Sequence, residues 1–259
     1  MILREIVLKR KLSLENEKKE NILKKLIDLV DENIEKKRKL RLSKFIKYCK
    51  YNPIIAEIKP ASPSKGNIRN INDVGEIARE IERGGAIGLS VLTEKDYFNG
   101  SYENLILARK AVSIPILMKD FIIDKYQLDI AHTIGANAVL LIVRVLKDEL
   151  GKFLDYADDL GLECLVETHS EDEIDLALDF GAKIIGINNR DLSTLKIDLS
   201  TTEKLSQLIP KNKIKIGESG IYTKEDLKYI LKFTDAALIG SSIMESENIE
   251  EKVKEFVYC

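Results

Sequence analysis

The stretch Gly135-Ala136-Asn137-Ala138-Val139-Leu140-Leu141-Ile142-Val143 decides the fold. A glycine closes one helical segment, and the apolar run 138–143 follows without a break. Glycine just past a helix end accepts the left-handed conformation that satisfies the last carbonyls. A continuous apolar run is what a strand buried on both faces requires, as in a parallel sheet. The same junction recurs at Gly84-Gly85-Ala86, Gly161-Leu162 and Gly181-Ala182. Working outward, eight short apolar runs stand in series: 54–59, 88–93, 116–119, 138–143, 164–167, 184–187, 214–218 and 236–239. Each interval leaves room for one helix and two loops. Strands alternating with helices imply parallel pairing through right-handed crossovers. Helix starts are marked as well: Ser170 with Glu173 matches a capping box, and Thr223 with Asp226 resembles one. Eight units predict an α/β fold closed as a (βα)8 TIM barrel. An open doubly wound sheet is the competitor, but no Gly-x-Gly-x-x-Gly follows the first run.

The length of 259 residues fits such a barrel. With 44% hydrophobic and 32% charged residues the chain can bury a large core, which excludes a disordered protein. No apolar run approaches the roughly 20 residues of a membrane span. The start lacks the apolar stretch of a secretory signal. Cys49, Cys164 and Cys259 lie far apart, which argues against a disulfide framework or a cysteine metal site and for a reducing cytoplasm. Lys and Glu dominate the charge, a heat-adapted composition that an AT-rich genome also favours. Residues 1–50 carry 16 basic and 8 acidic side chains, net +8, and the remainder 25 and 35, net −10.

The first 50 residues differ from the rest. Ile22, Leu23, Leu26, Ile27, Val30 and Ile34 recur at helical spacing, and the basic run Lys36–Lys39 with Arg41 follows. Ser43 is expected to cap a second short helix carrying Phe45, Ile46 and Cys49. With no Pro- or Ser-rich linker in sight, residues 1–259 are expected to form one TIM-barrel domain. Residues 1–50 would be a helical extension, and 51–259 the barrel.

Active sites of this fold lie at the C-terminal ends of the strands. The runs end in Glu57 and Lys59, which share a face; in Lys119-Asp120-Phe121; in Glu167; in Asn188 and Arg190; in Glu218-Ser219-Gly220; and in Gly240-Ser241-Ser242. Burying an unpaired charge costs several kcal/mol, so this convergence on one rim reads as a site. Singly, each has a plainer reading. Glu57 and Lys59 can be a structural ion pair, Lys119 a solvated strand end and Glu167 a helix-start charge. Residues 188–191 can form a turn, Asp120 can pair locally, and Arg144 can be a surface charge. Two isolated histidines, His132 and His169, do not make a metal site.

Small residues in the last two loops admit an anion: Gly220 and Gly240 allow close backbone approach, Ser219 and Ser241 add hydroxyls, and 241–244 can open a short helix. A phosphate site after strands 7 and 8 recurs in this fold; the alternative is a pair of tight turns. Loop 60–66 suits a mobile lid, or a plain connection. Composition and spacing thus reach a phosphorylated small molecule and Lys/Glu acid–base chemistry without metal.

These residues resemble the signature of the indole-3-glycerol phosphate synthase family. Ala56-Glu57-Ile58-Lys59 and Ser62-Pro63-Ser64-Lys65-Gly66 open the likeness. It continues through Leu92-Thr93-Glu94, 97–101, Pro115–Phe121, Leu165-Val166-Glu167, Gly186–Leu192, Glu218–Ile221 and Leu238–Ser242, across all eight runs. The resemblance implies a carboxy-lyase of tryptophan biosynthesis. It would close 1-(2-carboxyphenylamino)-1-deoxyribulose 5-phosphate to indole-3-glycerol phosphate with loss of CO2 and water, using no cofactor. It implies Lys119 as general acid, Lys59 as partner of the substrate carboxylate, Glu57 as its holder, and Glu167 as the base beside Asn188. Arg190 would steady the anthranilate end, and Phe98, Phe121, Leu140, Leu192 and Leu238 would wall the aromatic pocket. Ser62, Ser219, Gly220, Gly240 and Ser241 would take the phosphate and its neighbouring groups, and Glu218 a ribulose hydroxyl. A lysine among cations or apolar walls has a lowered pKa, so Lys119 is expected to be the stronger acid for it. The implied partner is the phosphorylated substrate, with neither nucleic acid nor membrane, and the chain a monomer or weak homo-oligomer.

Two features depart from the family. Pro60 stands where a basic residue often follows the first-strand lysine, which puts the exit angle of the loop in question. The first 40 residues match less well, and the positive extension is either a cover for the rim, a solvated face or a docking surface. Rival readings are another phosphate-binding barrel (an isomerase, or a Schiff-base aldolase using Lys119), a nucleic-acid binder using Lys36–Arg41, and a non-catalytic phosphate-binding subunit.

Overall fold

The computed structural model describes residues 2–30, 34–192 and 194–259. Eight parallel strands close into a barrel: β1 Ile54–Ile58, β2 Gly88–Leu92, β3 Ile116–Lys119, β4 Ala138–Ile142, β5 Glu163–Thr168, β6 Ile184–Asn188, β7 Ile214–Glu218 and β8 Ala236–Ile239. Each pairs with its sequence neighbours, and Ile54 opposite Ala237 closes the ring between β1 and β8. Alternation sorts the side chains into two cores. Ile55, Leu117, Leu140, Leu165, Ile216 and Leu238 fill one cluster. Ile54, Ala56, Ile58, Val91, Met118, Leu141 and Ile187 join the cluster that includes the surrounding helices. This is the α/β barrel that the periodicity predicts, with strand ends shifted by no more than a residue.

The helix-end glycines behave as expected. Gly85, Gly135, Gly161 and Gly181 all have φ between 74 and 93°. Thr223 and Asp226 form a reciprocal capping box. Ser170 accepts from the Glu173 N–H, but the Glu173 carboxylate turns to His169 instead of closing the box.

The N-terminal segment needs more correction. Helix Ile2–Lys19 has no counterpart among the sequence expectations. Its buried positions are Ile6, Arg10, Ser13 and Leu14, a helical stripe half made of polar residues, while Leu8 and Leu12 face solvent. A search for apolar period therefore misses it. The expected helix through Val30 to Ile34 is two pieces, Ile22–Ile27 and Ile34–Arg38; its middle, 31–33, lies outside the described residues. Ser43 is not a cap. Helix Leu42–Lys47 starts two residues earlier than a Ser43 cap would place it, after Arg41, and the Ser43 N–H donates to Glu163 Oε2 at 3.2 Å. Leu42 and Ile46 of this helix join the same core cluster as Ile55 and Ile184, so it packs under the end of the barrel where β5 begins.

Candidate active site

The last residues of the strands carry the site, where the inner face opens into a cleft. An open cleft of about 890 Å³ is lined by Glu57, Lys59 and Ser62 after β1, by Lys119 and Phe121 at β3, and by Leu140 at β4. Glu167 at β5, Asn188, Arg190 and Leu192 at β6, Ser219 after β7 and Ser241 after β8 complete that lining. Phe98 reaches in from the loop after β2, its ring centroid 6.0 Å from that of Phe121. A second lobe of about 390 Å³ shares Glu57, Lys59, Lys119, Arg190, Ser219 and Ser241 with the first, and adds Gly220, Leu238 and Gly240. The sequence-predicted site residues therefore fall in one bilobed cleft, except Glu218. That carboxylate is buried behind the Lys119 ammonium and lines neither lobe.

A chain of ion pairs crosses the cleft floor. Glu57 accepts from Lys59 Nζ at 2.9 Å through Oε1 and lies 2.9 Å from Lys119 Nζ through Oε2. Lys119 Nζ also reaches Glu218 Oε2 at 3.2 Å. Glycines make the room. A Cβ on Gly240 would sit 2.5 Å from Glu57 Oε1, and one on Gly186 would sit 2.3 Å from Glu218 Oε1.

The charges set one another. Burial alone would raise Glu57, but Lys119 and Lys59 bring it down to about 2. For Glu218 burial dominates; Lys119 opposes it, Glu167 and Glu57 add to it, and the carboxyl rises to about 7. Lys119 corrects the sequence expectation. Burial does act to lower its pKa, but Glu57 and Glu218, with Glu167 behind them, overrule burial and hold the ammonium above its ordinary range. The lysine sits among anions, not cations.

Surrounding contacts fix the walls. Glu94 accepts from the N–H groups of Asp96, Tyr97 and Phe98 at 2.8–3.1 Å and so shapes the loop that presents Phe98. Asn189 clamps two loops: its amide donates to the carbonyls of Glu218 and Ser219, and its Oδ1 accepts from Thr202. Ser219 (φ 66°) and Gly220 (φ 89°) turn the chain sharply into the second lobe. Ser241 starts the short helix Ser241–Met244, as expected.

After Pro60 the chain leaves β1 into an ordered turn. The Pro60 carbonyl accepts from Ile68 and Arg69 N–H at 2.7 and 3.1 Å, and Ala61–Ser62 pairs antiparallel with Gly66–Asn67. Lys65 pairs with Glu245, and Arg69 donates to the carbonyls of Met244 and Ser246. The loop is a small hairpin fastened to the loop after β8.

Asp120 pairs locally, accepting from the Phe121 N–H at 2.8 Å, and also across the molecule. It accepts from Arg10 Nε at 2.8 Å and from Thr93 Oγ1 at 2.8 Å. Arg10 also contacts Glu17 at 2.8 Å and Tyr102 Oη at 2.5 Å. This buried knot docks helix Ile2–Lys19 on the rim, where Leu3 and Ile6 enter the cleft lining. Sequence reasoning missed it, because nothing local links Arg10 to residue 120. It also missed His169, which lies 3.3 Å from Glu167 Oε1. Arg144, read as a surface charge, donates to Glu173 at 2.6 Å.

Comparisons with known proteins agree with this geometry. The family profile described as indole-3-glycerol phosphate synthase matches residues 3–256. A protein of that name from Methanocaldococcus jannaschii is 70% identical, over 99% of this chain and 98% of its own length. Another so named, from Pyrococcus furiosus, is 47% identical over 83% of this chain and 96% of its own. Among solved structures, a thiamine phosphate pyrophosphorylase from Pyrococcus furiosus superposes with a TM-score of 0.59. It is 17% identical, covering 80% of this chain and 93% of its own, and so speaks for the barrel alone.

Proposed function

Because the chain belongs to the indole-3-glycerol phosphate synthase family, we propose that its cleft closes 1-(2-carboxyphenylamino)-1-deoxyribulose 5-phosphate to indole-3-glycerol phosphate, a lyase step of tryptophan biosynthesis. One observation carries the assignment of residues: Lys59, Lys119, Glu57 and Glu218 form one ion-paired row at the strand ends, between a lobe with aromatic walls and a lobe of glycine and serine.

The phosphate takes the second lobe, where Ser219, Gly220, Gly240 and Ser241 leave the backbone accessible, with Ser62 at the lid. The benzoate ring lies between Phe98, Phe121, Leu140 and Leu192, steadied by Arg190; Leu238, read from sequence as a wall of the aromatic pocket, lines the second lobe instead. Lys119 gives its proton to the ketose carbonyl oxygen as the carboxylate-bearing ring carbon attacks. A fully charged ammonium is the state a general acid needs. Glu218, near 7, tunes its strength: when Glu218 takes a proton, the ammonium loses one anion and becomes the better donor.

Lys59, held by Glu57, pairs with the substrate carboxylate until carbon dioxide leaves. It then assists departure of the hydroxyl group. Glu167, beside Asn188, takes the last proton as the new ring becomes aromatic. Burial of these groups strengthens every charge on the path. The walls of the cleft also hold ring carbon and carbonyl together. The three free cysteines fit a reducing, cytoplasmic setting.

The test is direct. Purified protein is incubated with the carboxyphenylamino substrate and indole fluorescence is followed; a signal that never rises above the enzyme-free control refutes the function. Borohydride treatment with substrate should leave Lys119 unmodified, since no imine is needed; trapping there would favour an aldolase.

A further inference from the structure

Glu167 does not stand alone on its strand end. Two residues on, His169 places Nε2 3.3 Å from Glu167 Oε1 and Nδ1 3.1 Å from Glu173 Oε2. The imidazole is buried, its side chain 4% exposed. Glu173 is itself braced: Oε1 accepts from Arg144 Nε at 2.6 Å, and Oε2 accepts from the His169 backbone N–H at 2.8 Å. From helix to cleft the charges alternate: Arg144, Glu173, His169, Glu167, Lys119.

We propose that His169 is a positioning residue for the base, a charged imidazolium clamped by Glu173 that fixes the Glu167 carboxylate and keeps it ionised before substrate arrives. This rests on Glu167 being the base assigned above. A neutral imidazole hydrogen-bonded to Glu173 through Nδ1 offers Glu167 no charge, whereas the cation keeps that hydrogen bond at 3.1 Å and faces Glu167 as an ion pair at 3.3 Å. Burial opposes charge on His169, yet Glu167 and Glu173 raise it to about 9. Burial likewise opposes charge on Glu167, and His169, then Lys119 and Asn188, outweigh it and lower that carboxyl. Glu218 faces Glu167 from β7, and Arg144 faces Glu173 from helix Val143–Leu146. Among the described residues these are the charged groups that chiefly set the pair. A histidine that only pinned the start of helix Glu171–Asp179 would leave the ionisation of Glu167 untouched.

Two measurements separate these roles. The chain has two histidines, so imidazole titration by NMR resolves His169, with His169→Gln as the assignment control. We expect it to stay charged past pH 8 in the full-length enzyme. Its midpoint should fall by about 1 or more in pH in Glu167→Gln and in Glu173→Gln, because coupling between two sites is reciprocal. An imidazole already neutral at pH 7, or one indifferent to Glu167→Gln, overturns the proposal. Second, single-turnover rate is measured against pH. His169→Gln should move the acidic limb upward by about 1–2 in pH, with KM within about twofold. A limb that stays in place overturns it. The two failures are distinguishable: a fully active Glu167→Gln removes the base assignment itself, while an inactive Glu167→Gln with an unmoved limb in His169→Gln removes only the role of His169. Should His169→Gln fail to fold, the titrations of wild type and Glu167→Gln decide alone.

Discussion

Replacing Arg10 by methionine tests how the rim is built. The guanidinium contacts Asp120, Glu17 and Tyr102, and the side chains of Arg10 and Asp120 are 3% and 0% exposed. Methionine keeps much of the apolar stem and removes the charge, leaving Asp120 buried without its cation. Breaking a buried pair in this way costs about 3–5 kcal/mol. Thr93 Oγ1 and the Phe121 N–H still donate to Asp120, which places the expected loss near the lower end, about 3 kcal/mol. At about 3 kcal/mol per molar urea, the unfolding midpoint falls by about 1 M. Activity should suffer too, through KM, because the same helix brings Leu3 and Ile6 to the cleft and Asp120 anchors the backbone of Phe121. The assays are urea denaturation followed by far-UV dichroism and steady-state indole fluorescence. Arg10→Met/Asp120→Asn should recover part of the stability, since no orphaned charge remains. A midpoint for Arg10→Met within about 0.2 M of wild type would refute the reasoning.

Lys119→Met should lower the single-turnover rate by about 10²–10⁴-fold with KM changed only a few-fold; a rate within twofold of wild type removes it as the acid. Gly220→Val forces a φ of 89° on a branched residue and drives Cβ to 2.5 Å from Ile197. KM should rise about tenfold or more, and inorganic phosphate should cease to compete; an unchanged KM would count against the phosphate lobe. Acid unfolding probes Glu57. Its carboxyl is depressed from 4.5 to about 2, so its stabilisation is complete above 4.5 and is lost as pH falls through 2. Glu57→Gln should flatten the dependence of melting temperature on pH between 5 and 2, and a parallel curve would show that the pair with Lys119 and Lys59 contributes nothing to it.

The barrel was legible because its signals are local. The strands are short, largely apolar runs, four of the helices before them end on a glycine with φ between 74 and 93°, and alternation along a strand assigns side chains to one core or the other. The rim residues were legible for a related reason: charge at the end of a buried strand is conspicuous, as at Glu57, Lys119 and Glu218. What escaped was set by distance. The stripe Ile6, Arg10, Ser13, Leu14 looks polar until Asp120 and Asp96 are placed opposite Arg10 and Ser13. The pKa direction of Lys119 failed similarly, since the sequence shows the lysine but not that three carboxylates from β1, β5 and β7 face it. At Pro60 the sequence left the exit angle of the loop open, because the carbonyl that organises the hairpin finds its partners, the Ile68 and Arg69 N–H groups, only in the fold.

The knot at Arg10 also has a consequence for synthesis. Its acceptor lies 110 residues downstream. A ribosome adding about 5–20 residues per second leaves that arginine waiting for about 5–20 s. Helix Ile2–Lys19 therefore lacks its buried Asp120 partner until three of the eight strands have been made, and the ring itself cannot close until Ala237 meets Ile54. Until Asp120 is in place, the nascent helix Ile2–Lys19 stays without its buried anchor, a natural target for a holdase or a protease.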